Sequence, residues 1–167
     1  MIRWLKIAMI ASVSLFCLIY ALQNIANLEA AHWFVSYTTS MEGHDKYPSH
    51  FGPAITSSTI HWAMLWIIIA LEISAGLLAA KGAFDLFKAR NSSADEFNAA
   101  KTCGIAACGV GILVWFGLFS AIGGAYFQMW QTEAGGGALG NASMFSVQPA
   151  HGTTLGGDWD LPEGCES

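Results

Sequence analysis

The chain has 167 residues, of which 54% are hydrophobic and only 11% charged, and its mean hydropathy is +0.45. An ordinary soluble domain carries about 25% charged residues, so the class is membrane. A formal net charge of -5 with only seven basic residues leaves no basic stripe to neutralise phosphates, which excludes nucleic acid as a partner.

The first apolar run, Leu5 to Ile25, has the roughly 20 residues needed to cross a hydrocarbon core of about 30 Å. The rival reading is a cleaved signal peptide led by Arg3 and Lys6, but a secretory core is usually only about 7–15 residues long. Ile60 to Ala80 and Cys103 to Trp130 form two further spans. The spacing predicts an all-α integral membrane protein with helices over about 5–26, 59–82 and 103–130 in a small bundle. Residues 1–130 form this transmembrane domain.

Between the first two spans, Leu28 to Thr59 is polar and aromatic and contains Pro48, Gly52 and Pro53. It is expected to lie at the outer interface in short pieces. Ser57, Ser58 and Thr59 offer N-cap hydroxyls to the second span. Ahead of the third, Ser93-Ala94-Asp95-Glu96 places a capping serine and two acids where a helix starts, so that helix is expected to begin before the membrane does.

Arg3, Lys6, Lys81, Lys88, Arg90 and Lys101 fall on one side of the three spans and Lys46 alone on the other, which sets the first side in the cytoplasm. Trp33, Trp62, Tyr126 and Trp130 sit at the outer helix ends and Trp4 at the inner end, as interfacial anchors do. From Gln131 the composition changes abruptly. Gly135-Gly136-Gly137, Gly140, Gly152, Gly156 and Gly157 accompany Asp158, Asp160, Glu163 and Glu166 with no basic residue. Residues 131–167 are expected to form an irregular, glycine-rich acidic tail outside the membrane.

Glu72 is the one ionisable residue deep in a span, where an unpaired charge costs at least about 2.5–3.5 kcal/mol. It must be protonated or paired, and at its depth the first span offers Ser12 and Ser14 as buried polar neighbours. Structural hydrogen bonding between helices is the plain account; a proton or ion role is the sharper one. All five histidines map to the outer side, but their spacing is wrong for a haem or metal site. No metal is expected, with His32 and His61 the weak candidates.

The third span carries Gly104, Ala107, Cys108 and Gly111 at i, i+3, i+4 and i+7, with Gly117 further on. Such a stripe lets helix backbones approach closely, within the chain or with a partner helix. Cys103 and Cys108, five residues apart, are expected to be packing residues, and with Cys17 and Cys165 they form no C-x-x-C pair or disulfide framework.

Several stretches together resemble a bacterial family of predicted small integral membrane proteins of unknown function. They are Ala54-Ile55-Thr56-Ser57-Ser58 leading to His61-Trp62, then Glu72, then Phe97-Asn98-Ala99-Ala100-Lys101, then Ile122-Gly123-Gly124 followed by Met129-Trp130-Gln131. The resemblance covers about residues 1 to 132. It implies an inner-membrane helical bundle, usually of four helices, and lends no activity, cofactor or catalytic residue. This chain departs from it in having Ala125 after the glycine pair, where the family tends to carry an acid, and the glycine-rich tail where a fourth span would follow. The sequence therefore predicts an open groove where that helix is missing, filled by a helix of another subunit.

The leading expectation is a non-catalytic accessory subunit of an inner-membrane complex, respiratory or photosynthetic, with the N-terminus cytoplasmic and the tail periplasmic. It would bind other membrane subunits through Gly104, Ala107, Cys108, Gly111 and Gly117, with membrane lipid bound and no cofactor. A glycine stripe pairs with itself as readily, so a homo-oligomer stays open. The alternatives are a small transporter or proton-conducting protein centred on Glu72, and an outer-face haem or metal protein using His32 and His61.

Overall fold

The computed structural model describes the backbone of residues 1–47 and 49–154 and the side chains up to Ser143, Pro48 apart. Every regular element among them is helical. Helix α1 covers Ile2–Ala26, α2 Leu28–Thr39 and α3 Ser58–Lys88, which closes in a single tight turn over Ala89–Asn91. The short α4, Ala94–Ala99, leads into α5, Thr102–Ile112. From Leu113 to Tyr126 the same helix widens to i→i+5 bonding, seen also where Ser120 Oγ donates to the Trp115 carbonyl at 3.1 Å. After another tight turn, Met129–Gln131, comes α6, Glu133–Thr154. Three stretches, Ile2–Ala26, Ser58–Asn91 and Ala94–Tyr126, are long and apolar enough to cross a membrane.

Helix α3 is the axis on which the others are laid, and glycines fix how closely. A Cβ on Gly76 would sit 2.6 Å from the Leu18 side chain, and one on Gly82 would sit 2.5 Å from the Gly104 backbone nitrogen. Only glycine permits those approaches, and close backbone packing supplies much of the association energy of helices in lipid. At the first crossing Ser14 Oγ donates to the Gly76 carbonyl at 2.8 Å. Around the second, Ile7, Ile10, Ala79, Leu86, Ala107 and Cys108 close a buried cluster.

The end of the bundle that holds most of the basic residues is tied together by Arg3. Its Nη1 donates to the carbonyls of Arg90 and Ser92 at 3.0 and 2.7 Å, which answers acceptors left over where α3 ends. The guanidinium also lies 4.8 Å above the ring of Phe97. Ser93 and Glu96 form the expected reciprocal capping box, both bonds at 3.3 Å. Ser57 does stand at the N-cap of α3, but no side-chain hydroxyl caps it; its carbonyl instead accepts from the amides of Ile60 and His61.

The expectation of an irregular tail is corrected for residues 133–154. They form α6, which runs back against the wide helix and α5, and Ala142 enters the core beside Cys17, Ala75, Val114 and Trp115. The groove predicted for a foreign helix is therefore filled by the chain itself. At the start of α6 the reason is steric: a Cβ on Gly135 would sit 2.1 Å from the Met129 carbonyl oxygen, so this glycine lets the helix begin directly against the preceding turn. The acids from Asp158 to Glu166, with Gly156, Gly157 and Cys165, lie outside the described residues.

Substituting alanine at Gly82 forces α3 and α5 apart, at an expected cost of about 1–3 kcal/mol. Alanine at Gly109, where a Cβ meets nothing within 4 Å, should leave stability unchanged or raise it slightly. Thermal melts of both variants in mild detergent check this; a Gly82→Ala protein that melts no lower than Gly109→Ala would refute the close crossing.

Candidate functional site

The mid-span carboxyl is held by the meeting of five elements. Glu72 lies near the middle of α3 and is 1% exposed. Its Oε2 accepts a hydrogen bond from Asn24 Nδ2, 2.9 Å away on α1, and no other hydrogen bond reaches it among the described residues. The geometry corrects the expected neighbours: Ser12 is exposed and donates to its own helix at the Ala8 carbonyl, and Ser14 serves Gly76 instead. Asn24 was missed because it stands where the first apolar run gives way to polar residues, and register between two helices is not written in either one alone.

Beside the carboxyl is a cavity of about 250 Å³, walled by Tyr20 and Asn24 of α1, Phe34 of α2, Trp115 and Phe119 of the wide helix, and Asn141 of α6 among others. Aromatic packing fixes one wall, with Phe16 4.7 Å from Tyr20 and 4.9 Å from Trp115 between ring centroids. A second cavity of about 160 Å³ shares Phe34, Val35, Ile68 and Phe119 with the first and is otherwise lined by side chains such as Met64, Leu118 and Ile122. Mostly apolar concavity with a few convergent polar groups is the usual character of a small-molecule site.

The small-residue stripe is not presented to a partner. Gly104, Ala107, Cys108 and Gly111 are buried inside the bundle, with Gly104 against Gly82 and Ile10. A stripe of period 3.6 marks a close contact without saying which helix makes it, and here α3 and α1 take it. Gly117, by contrast, has open space where a Cβ would stand.

His32 and His61 are brought together, but among the described residues they belong to no ligand set. His32 and His61 have ring centroids 5.9 Å apart. His61 Nε2 is engaged with the Ile55 carbonyl at 3.0 Å, and His32 stacks on Trp62 at 4.2 Å. Among the described residues no three His, Cys, Asp or Glu side chains gather as a metal site. His44, in the outer loop, has both ring nitrogens enclosed without a hydrogen-bond partner. Burial and the neighbouring His50 hold its pKa below the ordinary histidine value, against the opposing pull of Asp45.

The loop itself is clasped from the far end of the chain. The buried Gln131 accepts the backbone amides of Lys46 and Tyr47 through Oε1 at 3.0 and 2.7 Å, and Trp130 meets Tyr47 edge to face at 5.1 Å. On the other flank, the Ile55 amide donates to the Thr39 carbonyl. Ile55, His61, Trp130 and Gln131 thus act as the outer fastening.

Fold and site together define a small integral membrane helical bundle with one carboxyl enclosed among its spans. The chain matches the family described as predicted small integral membrane protein (DUF2165) over residues 2–150, and it belongs to that family. The match continues through most of α6, past the point where the quoted motifs end. No curated protein and no solved structure matches the chain.

Asn24→Leu leaves the Glu72 carboxyl without its donor and should cost about 1 kcal/mol, or about 2–4 °C in melting temperature for a chain of this size. Adding Glu72→Leu should recover most of the loss, since two apolar partners leave nothing unsatisfied. A double variant no more stable than Asn24→Leu alone would contradict the pairing.

Proposed function

We propose that the chain is a non-catalytic membrane protein that binds and passes a small solute at Glu72, exchanging it against a proton. The observation that carries this reading is the position of the carboxyl: it is shut away from water, tied on one oxygen to Asn24, and set against a cavity rather than against packed side chains. A carboxyl retained only to glue two helices needs no such space beside it. Ionisable groups at membrane depth are costly and mark substrate, ion or proton pathways, and the surrounding rings and amides give the cavity the mixed character of a ligand site.

A second reading, an accessory subunit of a respiratory or photosynthetic inner-membrane complex, draws support from a different face. Gly109, Leu113, Phe116 and Gly117 follow at helical spacing on α5 and the wide helix, and Gly109 and Gly117 have open space above them. Leu113 and Phe116 are about 60% exposed. This face would admit a partner's helix, or a second copy's, as readily as lipid. The basic residues support a cytoplasmic N-terminus, and three spans then put the start of α6 on the periplasmic side.

Dicyclohexylcarbodiimide reacts with protonated carboxyl groups in apolar surroundings and tests the first reading. It should modify Glu72 in the membrane-embedded wild type, mapped by mass spectrometry of the peptide, and leave Glu72→Gln unmodified there. A wild-type protein in which Glu72 resists the reagent would mean a sealed carboxyl and would end the reading. Native gels of the gently solubilised protein test the second: co-migration with a large membrane enzyme establishes it, and migration alone removes it.

A further inference from the structure

Every group on the cavity wall but one is neutral. Among the described residues that line it there is no lysine, arginine or histidine, and Glu72 is the one carboxyl. A carboxylate out of water wants a counter-charge, and no described residue on the cavity wall supplies one. The groups that line the cavity beside it are instead of the kind that attract an organic cation: the aromatic rings of Tyr20, Phe34, Trp115 and Phe119, with the Asn24 and Asn141 amides. Aromatic rings attract cations, quaternary ammonium groups above all, and most strongly where the site is desolvated.

Resting on the solute-site reading above, we infer that the ligand is a small lipophilic organic cation, an amine or quaternary ammonium bearing an apolar substituent. The cationic head lies against the Glu72 carboxylate while Asn24 keeps its hydrogen bond to Oε2. The proton that Glu72 carried leaves to water, so charge in the site is unchanged by the exchange. The apolar substituent points toward the neighbouring cavity of about 160 Å³, which shares Phe34, Val35, Ile68 and Phe119 with the first. The other titratable groups within reach of Glu72 are Tyr20 and Cys17, both on α1. Among the described residues, helix α2, the wide helix and α6 contribute none to the cavity wall, so the exchange is assigned to Glu72.

The test uses the full chain in a nonionic detergent with benzyltrimethylammonium as probe and neopentylbenzene, its neutral carbon isostere, as comparator. Calorimetry should show saturable binding of the cation, and a weakly buffered sample should acidify as it binds, by up to one proton per cation. Glu72→Gln should weaken the cation by roughly tenfold or more and abolish the acidification, and Phe119→Leu, which leaves the carboxyl in place, should weaken binding but keep the proton release. A neutral isostere that binds as well as the cation, an unchanged affinity in Glu72→Gln, or no cation binding at all would each overturn the inference. The carbodiimide reaction decides the solute-site reading separately, so a carboxyl that labels while the cation fails means another class of solute at the same place.

Discussion

The bundle depends on the absence of side chains at two points of α3. Where Gly76 meets α1 the Leu18 side chain occupies the place of a Cβ, and where Gly82 meets Gly104 the backbones come closer than any Cβ would allow; those contacts set the register of α1 and α5 against the central helix. The position of Asn24 opposite Glu72 follows from the first crossing, since α1 has to arrive in register for the amide to reach the carboxyl at 2.9 Å. In lipid, where apolar side chains gain little by leaving one neighbour for another, close backbone packing and a few interhelical hydrogen bonds must do what a hydrophobic core does in water.

Against that tight lower packing, the space around Glu72 is an exception. The helix opposite it abandons the usual i→i+4 pattern from Leu113 to Tyr126, and stretches of this kind are rare and often found at functional sites. The widened turns carry Trp115 and Phe119 to the cavity beside Glu72 and Leu118 and Ile122 to its neighbour. Helix α6 closes the far side with Ala138, Asn141 and Ala142, small enough to leave room and, in Asn141, polar enough to matter. Packing is thus tight where the helices cross at glycines and open beside the Glu72 carboxyl.

Much of this was legible from residue order. Runs of apolar residues long enough to span, the capping pair Ser93 and Glu96, and the gathering of basic residues at one end each express a local rule, and local rules survive translation into structure. Glu72 stood out for the same reason: a charge in an apolar run is conspicuous without knowing its neighbours. Partners were not legible. Ser14 was assigned to Glu72 by depth yet bonds to Gly76, and Asn24 was passed over, because depth along a helix does not fix which face turns inward. The stripe of Gly104, Ala107, Cys108 and Gly111 announced a close contact but not its owner. Helix α6 is hidden by its own glycines, which lower its hydropathy and read as loop, although one of them, Gly135, is what the close approach to Met129 requires.

The clasp at Gln131 joins stretches made at different times. The Lys46 and Tyr47 amides wait for a side chain 85 and 84 residues further along the chain, beyond both later spans. During synthesis the loop after α2 is made first, and its two amides can meet Gln131 only once the Met129–Gln131 turn has formed. Fastening of the loop is therefore a late event in assembly, and it falls at the moment when α6 begins to fold back along the bundle.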